Sequence, residues 1–364
     1  MDKVGDYVLE VNRMDKLKVC VIFGGASSEH DVSRVSVKTV LNNIDREKYD
    51  VITIGITKDG QWRLYEGDIE TISKDNWLDF AKTQAIVSPD REDRAIIVLG
   101  ETTEKIKIDV AYPVLHGKNG EDGTIQGLFA LAGIPCAGGG VIGSAVCMDK
   151  CMAKILFEKA GIPQADWVEV KCCDTPDFEL MEKKLGYPMF VKPSSAGSSV
   201  GVTKASNREE LEKGIELALL HDYKVLVEEC VNCREIESAV MGNHNPLVSE
   251  NLGEIMPAKE FYYFDAKYND ENSKTKIPAD LPTETVEKIK EYAKKAYKIT
   301  ECRGYSRVDF FVDRDTGEIK LNEINTIPGY TPISMYPKLW MDCGVDIKEQ
   351  INKHIEYALE ESNG

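Results

Sequence analysis

Nowhere in its 364 residues does the chain string together the roughly 18 apolar residues needed to cross a bilayer, which excludes a membrane-spanning helix from the reading. The opening MDKVGDYVLEVNRMDKLK lacks the apolar core and small-residue cleavage site of a secretory signal, so the expected location is the cytoplasm. Positive charge is scarce. Lys and Arg number 45 against 62 Asp and Glu, a formal net charge of −17, which argues against nucleic acid or an anionic membrane as the main partner. Ten cysteines are present, but zinc-type spacing is not: Cys230 and Cys233 form a CxxC without a second pair, and Cys172 and Cys173 are merely adjacent. In a long chain without an export signal these thiols are expected to be reduced. There is no internal repeat and no low-complexity tract.

What remains is a globular composition, 42% hydrophobic and 29% charged, on a chain long enough for two or three domains. KVCVIF at 18–23 reads as a strand that enters the Gly turn GGASSEHDVS and then a helical pattern, the opening of a βαβ unit. VITIGI at 51–56 and VAYPVL at 110–115 read as further strands, and a doubly wound parallel sheet is the natural fold for this part. The segment 62–103 is charged and irregular and reads as an insertion of hairpins and helices. Strands alternate with helices again after Gly138-Gly139-Gly140, with MFVKP at 189–193 and KVLVEE at 224–229, and a long helix is expected over 283–299. The boundaries drawn are an α/β substrate-binding domain at 1–137, a central subdomain at 138–231 and a C-terminal subdomain at 232–364.

The chemistry concentrates in three places. In KLNEINTIPGYTPISMYP, Glu323 and Asn325 are two residues apart on an extended chain, so both oxygen ligands face one way. Arg307 and Asp309 in SRVDFF share a face for the same reason, and Asp309, Glu323 and Asn325 make an all-oxygen set suited to Mg²⁺ bound together with nucleotide phosphates. The Pro328-Gly329 turn can present a backbone N–H to a developing oxyanion. Lys192 ends the strand FVKP and precedes SSAGSSVGV, whose amides and hydroxyls, Ser199 among them, can wrap a polyphosphate, although the spacing is not that of a Walker A loop. Lys150 opens a helix, so two cations bracket a nucleotide in an otherwise acidic protein. Glu228 and Glu235 are placed to take an adenine amino group and ribose hydroxyls, or else form a solvated acidic edge.

VKPSSAGSSVGV, VEECVNCREIE, GYSRVDFF and NEINTIPGYT, in that order, resemble the ATP-grasp carboxylate–amine ligases. GGASSEHDVS, LHGKNGEDGTIQG and EFYYFDAKY narrow the resemblance to the D-alanine:D-alanine ligase family with its D-serine and D-lactate relatives. It covers the chain from about residue 18 onward; residues 1–14 fall outside it, and Met14 is a candidate alternative start. The fold implied is ATP-grasp behind a Rossmann-like N-terminal sheet. The resemblance implies that Lys150 and Lys192 bind phosphates, Glu228 and Glu235 the adenine and ribose, and Glu29 the ammonium of a first substrate whose carboxylate lies near His116. Ser198 and Tyr268 would order the site with Glu29, Lys267 would face the γ-phosphate, Arg307 and the Gly329 amide would hold a tetrahedral intermediate, and Ser334 with Met335 would form the second substrate's carboxylate pocket.

The implied reaction is ATP-dependent joining of two D-alanines through an acyl phosphate, for cell-wall peptide precursors, with two Mg²⁺ (or Mn²⁺) ions, small-molecule substrates and a second copy of the chain as partners. The stretch 260–276 would close as a lid, although Tyr263-Phe264 and Asp265 depart from the Asp-Tyr and Glu of many members. Ser334-Met335-Tyr336-Pro337 replaces the Ser-Arg-Tyr-Pro common in D-serine and D-lactate relatives, and with Tyr268 it favours D-alanine as second substrate, D-serine being the alternative. An inactive nucleotide-binding module is the competing class. It is disfavoured because the metal-ligand set and Arg307 are intact, and a dinucleotide oxidoreductase is disfavoured because FGGASSEHDVS lacks the third fingerprint glycine.

Overall fold

The computed structural model describes residues 16–197, 200–256 and 274–362. Strand β1 (Leu17–Gly24) is apolar on both faces because it lies between two parallel neighbours, β2 (Tyr49–Ile56) and β7 (Val110–Leu115), and Val19 through Phe23 are wholly buried there. Helix α1 (His30–Asn43) provides the crossover from β1 to β2. The stretch expected to be an insertion of hairpins and helices is four short strands, β3 (Trp62–Leu64), β4 (Gln84–Val87), β5 (Ala95–Leu99) and β6 (Thr103–Lys107), with two 3₁₀ turns at Ile69–Thr71 and Trp77–Phe80. They continue the same sheet antiparallel, in the order β6-β5-β4-β3-β2-β1-β7, so the sheet is parallel only across β2-β1-β7. Parallel pairing needs a long crossover, and the connections between β2 and β6 hold no α-helix to make one.

Helices α2 (Thr124–Leu131), α3 (Val141–Met148) and α4 (Lys150–Lys159) lead to a second sheet of β8 (Trp167–Lys171), β9 (Met189–Pro193), β10 (Thr203–Ala205) and β11 (Lys224–Glu229), ordered β10-β9-β11-β8 and antiparallel throughout. Helices α5 (Phe178–Leu185) and α6 (Arg208–Leu219) cover it around a core that includes Met181, Leu211, Val191 and Val227. The third sheet runs β15 (Lys274–Lys276), β14 (Gly253–Met256), β12 (Cys233–Met241), β16 (Tyr305–Asp313), β17 (Ile319–Asn325), with β13 (Leu247–Val248) beside β12. Helix α7 (Thr283–Ile299) packs on it through Ile289, Ala293, Ala296 and Tyr297. Helices α8 (Met335–Asp342) and α9 (Ile347–Ser362) share a core with β1, β7 and α1, from Val19 and Phe23 to Tyr305, Tyr336 and Ile355. That shared core holds the first sheet against the third. All ten cysteines are free thiols.

Candidate active site

A cavity of about 680 Å³ is lined by residues from all three sheets and their loops. One wall is the end of β16 and β17. Register places Arg307 opposite Asn325 and Asp309 opposite Glu323, and Glu237 of β12 lies opposite Asp309 on its other side. Three carboxylates therefore stand in one row across three strands. Like charges in directly opposed positions are unfavourable, and Arg307 offsets them: its Nε and Nη2 donate to the two Asp309 oxygens at 2.7 and 2.6 Å, with Glu237 at 3.2 Å. Burial works against the guanidinium charge, but Asp309 and then Glu237 carry its pKa well above the ordinary value. Asn325 Nδ2 also donates to Asp309, at 2.9 Å. Asp309 is only 7% exposed and lies behind Arg307 and Asn325, whereas those two and Glu323 line the cavity.

The second sheet supplies the cations. Lys192 on β9 donates to Glu228 Oε2 on β11 at 2.7 Å, and Lys154 Nζ lies 2.6 Å from Glu228 Oε1. Burial alone would raise the Glu228 pKa, but Lys192 and Lys154 bring it down to about 2. The solvated-edge reading thus fails for Glu228, which is 2% exposed. Glu235, at the start of β12, lines the cavity. Asp149 caps α4 through the Met152 amide, accepts from Ser194 and pairs with buried Lys224, and this ties the helix start to the Gly-Ser loop. Lys150 follows the cap. Its ammonium donates to Ala196 O at 2.9 Å and lies 3.7 Å from Glu323, so it spans the loop and the β17 wall.

The first sheet contributes acids and an imidazole. Glu29 sits at the start of α1 without capping it, and both Gly117 and Gly197 approach its carboxylate so closely that a Cβ would lie 2.4 or 2.8 Å from Oε2. At Gly117, φ is also +69°, so any side chain would displace that acid. His116 Nε2 meets Ser36 Oγ at 3.1 Å and Nδ1 meets Ile327 O at 3.1 Å; burial lowers its pKa, leaving the ring neutral. Ser36 also accepts from the Tyr330 amide next to Gly329, at 3.3 Å, and Gly329 itself lines the cavity.

The last two expected residues part company: Ser334 packs against Gly329, where a Cβ would lie 2.9 Å from the serine Oγ, and Met335 turns away. Ser334 Oγ is engaged in its own turn, accepting from the Thr331 amide at 3.0 Å. Met335 is not brought to the cavity wall. It is 2% exposed in the core shared with β1 and β7, and packs so tightly on Gly253 that a Cβ there would lie 2.2 Å from its sulfur. Ser198, Ser199, Lys267 and Tyr268 lie outside the described residues, as does most of the expected lid.

Sequence reasoning passed over Lys154, Glu121 and Glu237. Lys154 was legible as the i+4 partner of Lys150 on one helix face. Glu121 accepts from the amides of Gly117 at 2.7 Å and Ile327 at 3.3 Å, which links the HGKNGED loop to the one after β17. Burial and then the charge of Glu29 raise its pKa to about 8.

Two antiparallel-sheet units that border one nucleotide-sized cavity, with lysines from one and a carboxylate–amide–guanidinium wall from the other, define an ATP-grasp protein. Residues 18–139 match the family model described as D-ala D-ala ligase N-terminus, and residues 156–356 the one described as D-ala D-ala ligase C-terminus. The chain belongs to the D-alanine–D-alanine ligase family. It is 53% identical over 365 residues to a D-alanine–D-alanine ligase of Ruminiclostridium cellulolyticum, covering 95% of this chain and 96% of that one. Among solved structures it resembles the VanG D-Ala:D-Ser ligase of Enterococcus faecalis, with 40% identity, a TM-score of 0.85 and coverage of 94% and 100%. The D-alanine–D-alanine ligase of Coxiella burnetii superposes with a TM-score of 0.84 at 32% identity, covering 96% of each chain.

Proposed function

We propose that the chain is an ATP-dependent ligase that joins two D-alanines into D-alanyl-D-alanine for peptidoglycan precursors. The observation that carries this reading is the convergence of Lys150, Lys192, Arg307 and the Glu29–His116 pair on one cavity, in a chain about half identical to ligases of that name. Lys150 and Lys192 neutralise the ATP phosphates, and Glu228 and Glu235 take the adenine and ribose. Glu29 holds the ammonium of the first D-alanine. Neutral His116 lies by its carboxylate, whose oxygen attacks the γ-phosphorus while ADP leaves.

The second D-alanine, its carboxylate at Ser334, attacks the acyl phosphate carbon through its amine. Arg307 and the Gly329 amide stabilise the tetrahedral oxyanion before phosphate departs with the C–O electron pair, and the proton that the amine gives up goes to that phosphate. Ser198, Tyr268 and Lys267 complete the site in this reading. Among the described residues no three His, Cys, Asp or Glu side chains form a metal cage. Glu323 and Asn325 on β17 line the cavity and fit a cation that takes its other ligands from phosphate oxygens, while Asp309 on the adjacent strand would have to exchange a hydrogen bond from Arg307 or Asn325 to join them. Asp309, Glu323 and Asn325 would hold Mg²⁺ (two ions, with Mn²⁺ an acceptable substitute), which when bound withdraws charge from the phosphates.

The likeness to the D-Ala:D-Ser ligase favours D-serine as the second reading for the second substrate. One assay separates them: ATP, Mg²⁺, D-alanine and equimolar D-serine, with phosphate release followed and products resolved by mass. D-Alanyl-D-alanine is expected to dominate. A dominant D-alanyl-D-serine product transfers the assignment to D-serine, and no D-alanine-dependent phosphate release overturns the ligase. Since Met335 lies in the core, any preference it confers acts through the seating of Ser334. A homodimer in the cytoplasm is the assembly and place that accompany this reading, and analytical sedimentation tests the first; no helix among the described residues is long and apolar enough to cross a membrane.

A further inference from the structure

We propose that Lys154 is the positioning residue that makes this site select adenine, by keeping Glu228 charged and aimed into the cavity once Lys192 turns to the phosphates. The inference rests on the nucleotide-site reading above and adds to it a residue that does not line the cavity. Lys154 and Glu228 are each 2% exposed, and their contact of 2.6 Å is an ion pair sealed from water. The Lys154 ammonium is fixed from behind by Ala165 O at 3.2 Å, and its own carbonyl accepts from Gln164 at 2.9 Å. Glu228 Oε1 has no hydrogen-bond partner apart from that ion pair. The other oxygen, Oε2, is held by Lys192.

Lys192 is shared between two anions once a polyphosphate is bound. Its ammonium is a compact point charge, and a polyphosphate in the cavity competes for it against Glu228. When Lys192 is drawn away, a carboxylate this buried keeps its charge only if a second cation stays beside it. The groups that face the pair are Lys154 from α4, Lys192 from β9, and Glu235 and Glu323 from the third sheet, which act on Lys192. Lys154 is the cation that stays. Lys150 and Lys154, one turn apart on α4, therefore divide the labour, one toward the phosphate loop and one toward the base.

The charge state decides which base fits. An ionised carboxylate only accepts hydrogen bonds, so it pairs with the 6-amino group of adenine; a protonated one carries an O–H donor, which suits the 6-oxo group of guanine. Removal of the Lys154 charge is thus expected to loosen adenine binding and to erode discrimination against guanine.

The experiment is calorimetric titration of the full chain with ADP and with GDP in the presence of Mg²⁺. It compares the unmodified protein with Lys154→Met, Glu228→Gln and the double variant. The unmodified protein is expected to prefer ADP by at least tenfold; no binding of ADP removes the nucleotide-site reading itself, and binding of ADP and GDP alike overturns this inference. With that preference present, Lys154→Met is expected to reduce it at least tenfold, raising KM for ATP far more than it lowers kcat. An unchanged preference overturns the role of Lys154 alone. If Lys154→Met fails to fold, the double variant decides: binding equal to that of Glu228→Gln shows that Lys154 acts through Glu228, and a further tenfold loss shows that it does not.

Discussion

At the scale of single residues, two carboxylates that look alike in the sequence differ in what surrounds them. Both read as oxygen ligands of one cation, yet Asp309 is pinned by two hydrogen bonds from Arg307 and one from Asn325, while Glu323 faces the cavity. Asp309→Asn and Glu323→Gln are each expected to lower ligase turnover on the order of 100-fold or more, the scale seen when a transition-state charge contact is removed. Their effects on folding should separate. Asp309→Asn gives up charged hydrogen bonds in a buried setting, so about 1–3 kcal/mol of stability should go with it; Arg307 retains Glu237, which limits the loss. Glu323→Gln should stay within about 0.5 kcal/mol, as substitutions away from a packed core usually do. Urea unfolding beside phosphate release distinguishes the two. Near-normal turnover by either variant at saturating Mg²⁺ removes that residue from the metal set.

At the scale of elements, α9 reaches no ligand and still bears on the site. His354 bridges Tyr112 of β7 at 2.8 Å and Tyr336 of α8 at 3.0 Å, and stacks on Tyr305 of β16 with ring centroids 3.7 Å apart. One turn earlier, Gln350 accepts from Tyr330, next to Gly329, at 3.1 Å. One helix face thus fastens the elements that carry His116, Arg307, Gly329 and Ser334. Burial lowers the His354 pKa to about 3. In the unfolded chain the ring takes a proton below about 6.5, whereas the folded protein refuses it until near 3. Its contribution to stability is therefore complete above pH 6.5 or so and is lost as pH falls, by at most about 1.4 kcal/mol per unit. His354→Phe should be less stable than the unmodified protein at pH 7, and that gap should narrow as urea midpoints are taken toward pH 4. A gap constant with pH removes His354 as the source.

At the scale of the whole molecule, the cavity exists only where three sheets meet, so a ligand that fills it is bound by the folded state alone. ADP with Mg²⁺ at about 100 times its Kd should add about 2.7 kcal/mol to unfolding. A rise in Tm with ADP and Mg²⁺, and a smaller one with GDP, is the expected record; no change with ADP contradicts a nucleotide site. Different parts of this arrangement were legible in advance to different degrees. The strands that bear Lys192, Glu228, Arg307 and Asp309 could be read from short β-rich runs, because period-two alternation is a local property. Between 62 and 107 hairpins were legible but not the fact that they extend the first sheet, since that pairing depends on neighbours in the sheet and not on any pattern within them.

The sequence by itself determined the family, the order of the motifs and the facing of Arg307 with Asp309 and of Glu323 with Asn325, because all of these follow from neighbours along an extended chain. Only the tertiary structure decided that Glu237, Asp309 and Glu323 form one row, that Lys154 stands behind Glu228, and that Met335 belongs to the core. Strand register, burial and the distance between charges arise from segments far apart in sequence, and it is these that decide whether a carboxylate such as Glu228 is a solvated edge or a buried, ion-paired group.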